Sequence, residues 1–112
     1  MTTIVANSQV TTAITVFTVE PENQQRLIDL LVRAAEEVIR SRPGFISINI
    51  HKSVDKTHVL SYSQWESRQA FDDILQHTTV IPYVQAVLEI ATFEPNFYEV
   101  AAVIHSDRET EG

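Results

Sequence analysis

The sequence predicts a small α+β domain built in the order β-α-β-β-α-β. Three observations carry that expectation. A Thr/Val/Ile-rich run is followed at once by a Pro-led apolar stripe of helical period. A segment of strict alternation starts just after Pro43-Gly44. Its hairpin partner ends on the only Trp of the chain, immediately before a second helical stripe. A period of two marks a half-buried strand, and a period near 3.6 an amphipathic helix.

Residues 10–19 form the first predicted strand, rich in β-branched residues and free of breakers. Glu20-Pro21-Glu22 then suits a helix start: Pro lacks only an N–H that has no helical partner there, and acids face the positive end of the dipole. Leu27, Leu30, Leu31, Ala34, Ala35, Val38 and Ile39 step by three and four along a helix of about five turns. Arg40 and Arg42 sit near its negative end, and Pro43-Gly44 stops it. Residues 45–53 alternate, with Ile46, Ile48 and Ile50 against Ser47, Asn49 and His51. A turn at 55–57 leads to a strand over 59–65. Ser67 is the expected N-cap of the second helix, whose stripe is Ala70, Phe71, Ile74 and Leu75. Pro82 is placed to open a short helix that turns Val84, Val87 and Leu88 inward. The last strand is predicted over 96–105. Residues 1–9 are expected to be an N-terminal extension, 10–105 the domain, and 106–112 a flexible tail. The plan is the ferredoxin-like split βαβ, an antiparallel sheet with both helices on one face. The strands carry apolar residues on both sides: Ile14 and Val16 against Ala13 and Phe17, and Leu60 and Tyr62 against Val59 and Trp65. A bare apolar sheet face of that size predicts a homodimer formed through the sheets.

A length of 112 residues fits one domain, and 44% apolar residues suffice for one core. The net charge of −7 argues against nucleic acid or an anionic membrane, either of which needs a basic patch. With no Cys, disulfides, thiolate nucleophiles and Cys-type metal sites are excluded. The first residues lack a basic, then apolar, leader pattern, and no run is long and apolar enough to span a membrane. A cytoplasmic protein is the expectation.

Few residues stand out chemically. The four His, at 51, 58, 77 and 105, fall in no metal-ligand spacing, so no metal is expected. With two Gly there is no phosphate loop, and no nucleophile elbow is present. Glu36-Glu37 and Asp72-Asp73 read as solvated helix faces. The segment Ser61-Tyr62-Ser63-Gln64-Trp65 is different. Alternation puts Ser61, Ser63 and Trp65 on one face, so small side chains leave space beside a large ring. Space floored by an indole suits a flat aromatic ligand, although Trp65 can equally be an ordinary core residue.

Pro43-Gly44-Phe45-Ile46-Ser47, His51, Tyr62 through Ser67 and Gln69-Ala70-Phe71 resemble the antibiotic biosynthesis monooxygenase domain. Within it they are most similar to the small actinorhodin-type polyketide monooxygenases. The resemblance runs over about 10–105. It implies a dimeric α+β barrel with a pocket between sheet and helices in each protomer. It implies a monooxygenase that needs no cofactor and turns a polycyclic phenol, anthrone or hydroquinone into a quinone with O₂. On this resemblance Trp65 and Ser61 are catalytic candidates; His51 joins them as the candidate base because it shares a strand face with Ser47 and Asn49. Phe71, Gln85, Tyr62, Tyr83 and Asn49 are the substrate-binding candidates. Where the polyketide members carry Asn, Tyr and Arg, this chain has Ser61, Phe71 and Gln85. The haem-degrading branch fits less well, with Val84 at its axial position and Ala13 where it carries Asn. A non-catalytic binder of aromatic molecules, or another enzyme on the same barrel such as an isomerase or haem degrader, are the alternatives.

Overall fold

The computed structural model of the protein describes residues 10–107. The expected extension at 1–9 and positions 108–112 of the expected tail lie outside the described residues. The chain runs β1 (Thr11–Val19), α1 (Gln24–Glu37), β2 (Phe45–Lys52), β3 (His58–Trp65), α2 (Arg68–Leu75), α3 (Ile81–Ile90) and β4 (Ala91–Tyr98). The strands form one antiparallel sheet of order β2-β3-β1-β4. The expected α+β plan is present, with its second helix divided into α2 and α3.

β1 occupies the sheet interior, paired to β3 and β4 over most of its length. Pro21 opens a short 3-10 turn that feeds α1. Leu27, Ala34 and Ala35 bury the stripe of α1 against the sheet. The helix ends earlier than its periodicity predicts: Val38 leaves helical geometry at φ −128°, and Ile39–Ser41 tighten into a second 3-10 turn. Gln24 is buried, and its Nε2 donates to the carbonyls of Ser53 at 3.1 Å and His58 at 3.0 Å. It thereby ties α1 to the mouth of the β2–β3 hairpin. In that turn Asp55 accepts from the Thr57 backbone N–H and from the hydroxyls of Thr57 and Ser53. Those bonds, the backbone one foremost, hold its pKa down at about 2. A depressed carboxyl stabilises the fold above its unfolded pKa, and that contribution disappears as pH falls towards 2.

Gly44 has φ +84°, and a Cβ added there would meet Ala70 Cβ at 2.5 Å. Its carbonyl accepts from Glu66 N–H at 2.7 Å, which sets the start of α2 against the start of β2. Gly44→Ala therefore meets both a left-handed backbone and a collision with another main-chain-anchored atom. The expected loss is about 3 kcal/mol, read as a fall in the urea midpoint with an unchanged slope.

Three expectations need correction. A register shift between Phe45 and Ser47 interrupts the alternation of β2. Phe45 therefore lies beside Trp65, while Ile46 is 40% exposed and does not join Ile48 and Ile50. The last strand lies at Ala91–Tyr98, not 96–105, and residues 99–107 carry no regular structure. Pro95 lies within β4, which is an edge strand, where a missing N–H is tolerated. Leu88, expected to face inward, is 56% exposed, whereas Val87 is buried. Pro82 does sit in the first turn of α3, and Ser67 caps α2 by accepting from Ala70 N–H.

Two apolar clusters hold sheet and helices together. One joins Phe17, Val19, Leu27, Val59, Val87 and Ala91. The other joins Ala13, Trp65, Phe71, Ile74 and Val80. Among the described residues no helix is long and apolar enough to cross a membrane.

Candidate functional site

The strand register leaves a gap between these clusters. β1 and β3 pair Thr15 with Ser61, Ala13 with Ser63 and Phe17 with Val59. On the helix-facing side the middle of the sheet therefore carries small residues, with large ones to either end. Helices resting on the ends cannot fill the middle, because helix backbones stand off by the length of the largest side chains they meet. A cavity results. Its volume is about 740 Å³ with its open mouth included. Its floor is Thr15, Ser61 and Ser63. Leu30, Leu31 and Ala34 of α1, with Val84 and Val87 of α3, form its roof, and Trp65 and Phe71 close one end. The lining is almost wholly apolar, the usual character of a site for a small organic ligand. Among the described residues Tyr83 is the only ionisable one in the lining.

Trp65 is fixed on every side. It is 2% exposed. Its Nε1–H donates to Ser63 Oγ at 2.9 Å, and that hydroxyl donates to the Ala13 carbonyl at 3.3 Å. Phe45 packs edge-on to it with centroids 5.2 Å apart, and Phe71 does so at 5.5 Å. Phe97 extends the stack against Phe71, and the Arg68 guanidinium lies 4.4 Å above Phe97. Edge-to-face contacts of this kind are the favoured aromatic geometry. The indole thus presents a rigid ring to the cavity while its N–H is engaged within the protein.

At the mouth, the Tyr83 hydroxyl of α3 donates to Glu37 Oε2 of α1. Arg33 Nε stands 3.9 Å from the other carboxylate oxygen of Glu37. The hydrogen bond to Glu37 raises the pKa of Tyr83, since a phenolate beside a carboxylate is disfavoured.

Of the residues singled out from the sequence, Trp65, Ser61, Phe71 and Tyr83 line this cavity. Tyr62, Asn49 and His51 do not. The register pairs Asn49 with Tyr62 and His51 with Leu60 on the opposite face of the sheet, and Asn49 also borders a shallower groove along the β2 edge. Gln85 is exposed on α3 and is absent from the lining. Ser63 and Thr15 complete the floor. Ser63 was visible in the same alternation as Ser61, whereas Thr15 needs the β1–β3 register. Glu37, read as part of a solvated pair, is joined to the site by a contact 46 residues away in sequence, which no local pattern signals. Among the described residues no three His, Asp or Glu are grouped so as to hold a metal ion.

Comparison with known proteins agrees with this geometry. The model of the family described as antibiotic biosynthesis monooxygenase matches residues 11–89. The sequence is 35% identical over 100 residues to tetracenomycin-F1 monooxygenase of Streptomyces glaucescens, covering 89% of each chain. The structure is similar to the ActVA-Orf6 monooxygenase of Streptomyces coelicolor in complex with nanaomycin D. The TM-score is 0.77 at 28% identity, with 88% of this chain and 95% of that one covered. It is also similar in fold to SnoaB, a cofactor-independent oxygenase of Streptomyces nogalater, with a TM-score of 0.74 at 20% identity over 88% of this chain and all of that one.

Proposed function

The chain belongs to the antibiotic biosynthesis monooxygenase family, and on that premise we propose that it oxidises a polycyclic phenol, anthrone or hydroquinone to a quinone with O₂, without metal, flavin or haem. The observation that carries this reading is the apolar slot beside the fixed Trp65 ring. Such a slot holds a flat aromatic molecule and keeps bulk water from its reactive carbon. The substrate supplies the reducing power. An anthrone CH₂ that loses a proton becomes an enolate able to pass an electron to O₂. The resulting carbon radical and superoxide combine to a hydroperoxide, which loses water to leave C=O. In total CH₂ and O₂ give C=O and H₂O.

On this reading Trp65 and Phe71 clamp the ring system, and the Ser61 hydroxyl on the floor donates to an oxygen that gains negative charge. Residues 10–105 act as the catalytic domain, in the cytoplasm. O₂ uptake by chelator-treated protein mixed with a panel of anthrones and hydroquinones tests the reading. Saturable uptake well above autoxidation supports it. Saturable quenching of Trp65 with no uptake overturns it in favour of a binding protein.

The same reading includes a second copy of the chain. The sheet face away from the helices carries Ile14, Val16, Leu60 and Tyr62, with Val16 41% exposed. Packed against its symmetry mate this face would enclose an apolar core, with Tyr62, Asn49 and His51 at the interface. Val16→Asp is then expected to convert a dimer to monomers in equilibrium sedimentation. A wild-type chain that sediments as a monomer at micromolar concentration would rule the dimer out.

A further inference from the structure

We propose that Tyr83 and Glu37 form the proton outlet of the cavity: a substrate hydroxyl at its mouth gives its proton to the Tyr83 oxygen while Tyr83 passes its own to Glu37. The proposal rests on the monooxygenase reading and assigns to it a base. Such a reaction begins with loss of a proton, and among the described residues the lining contains no Asp, Glu, His, Lys or Arg to receive one. Its polar side chains are the hydroxyls of Thr15, Ser61, Ser63 and Tyr83. Ser63 is occupied by Trp65 and the Ala13 carbonyl. A neutral Ser or Thr hydroxyl is also far too weak a base unless something takes its own proton in turn. Among the described lining residues only Tyr83 has such an acceptor, the Glu37 carboxylate.

The geometry suits a relay. Tyr83 lines the cavity and donates to Glu37, so its oxygen keeps a lone pair able to accept. Burial does not trap the transferred proton, because the side chain of Glu37 is 58% exposed and water can carry it off. A phenol is protonated at neutral pH in any case, so Tyr83 is the conduit and Glu37 the sink. The charged groups acting on Tyr83 are Glu37 and Arg33, both on α1. In the step the O–H of a phenol, or of an anthrone in its enol form, breaks and a Tyr83 O–H forms; either way the anion left is the one that reduces O₂. The original Tyr83 O–H breaks and a Glu37 O–H forms, leaving the substrate anion. The transfer is uphill, since a carboxylate is a weaker base than a phenolate. Reaction of the anion with O₂ draws it forward.

The test is the pH profile of kcat/KM for O₂ uptake in the wild type, Tyr83→Phe, Glu37→Gln and Glu37→Asp. The wild-type profile is expected to carry an acid limb. Tyr83→Phe and Glu37→Gln should each lower the rate about 10²-fold or more and abolish that acid limb. Glu37→Asp should keep the limb and recover part of the rate. A bond that merely latches α1 to α3 would move the unfolding temperature in these variants and leave the limb in place. An acid limb that persists in Glu37→Gln, or a Tyr83→Phe rate equal to wild type, overturns the relay alone. Wild-type protein that binds the substrates and consumes no O₂ overturns the relay together with the monooxygenase reading.

Discussion

Ser61→Leu is expected to abolish O₂ uptake without weakening the fold. Ser61 is buried on the helix-facing side of β3, opposite Thr15 on one neighbour and Ile50 on the other, and it lines the cavity. A leucine there projects three extra carbons into the empty space rather than into packed atoms. The cost of overpacking, which usually penalises a larger core residue, is therefore small. Burial of the added methyl groups contributes in the other direction, by about 1–2 kcal/mol. The midpoint of unfolding should stay level or rise. Activity should fall at least about 100-fold, because a ring system displaced by about 1 Å loses its alignment with the groups that act on it. Ser61→Ala separates volume from chemistry. It keeps the space and removes only the hydroxyl, so a loss of about ten- to hundredfold is expected if that hydroxyl supports developing charge. If Ser61→Leu retains wild-type turnover, the reaction takes place elsewhere and the slot is not the site.

Much of this slot was legible in the sequence, because strand alternation is local. Ser61, Ser63 and Trp65 share a face on spacing alone, and small residues beside a large one imply a void wherever that face is covered. The plan of the fold was legible for the same reason. What was hidden depends on pairing or on exceptions to periodicity. The shift at Phe45–Ser47 moves Phe45 onto Trp65 and Ile46 outward, and a register slip leaves no mark in composition. β4 starts five residues before the expected strand and contains Pro95, which an edge strand tolerates and an interior strand does not. The placement of Asn49, Tyr62 and His51 follows from which face the helices choose, and a sheet apolar on both sides does not announce that choice. Glu37 shows the limit most clearly. It has the neighbours of a solvated helix residue in sequence, and only the crossing of α1 and α3 brings Tyr83 to it.

Trp65→Ala is expected to have the largest effect on stability, a loss of about 3–5 kcal/mol. The indole is buried, meets Phe45 and Phe71 edge-on and anchors the second of the two apolar clusters. Domains of this size are stable by only about 5–15 kcal/mol in all. Lost activity in Trp65→Ala would therefore not distinguish a missing binding surface from a partly unfolded protein. The bond between Trp65 Nε1 and Ser63 Oγ allows a sharper experiment. Ser63→Ala strands a buried N–H and should cost about 1–3 kcal/mol. Trp65→Phe removes that donor and part of the ring, while Ser63 keeps its bond to the Ala13 carbonyl. In the double variant no N–H is left to strand, so its loss should be smaller than the sum of the single losses by about 1 kcal/mol or more. Urea unfolding of the four proteins measures this directly. Strict additivity would mean that the indole N–H does not rely on Ser63 and is free to meet a ligand. Coupling of the expected size would mean that Trp65 serves the site as a fixed wall, held in place from the sheet beneath it.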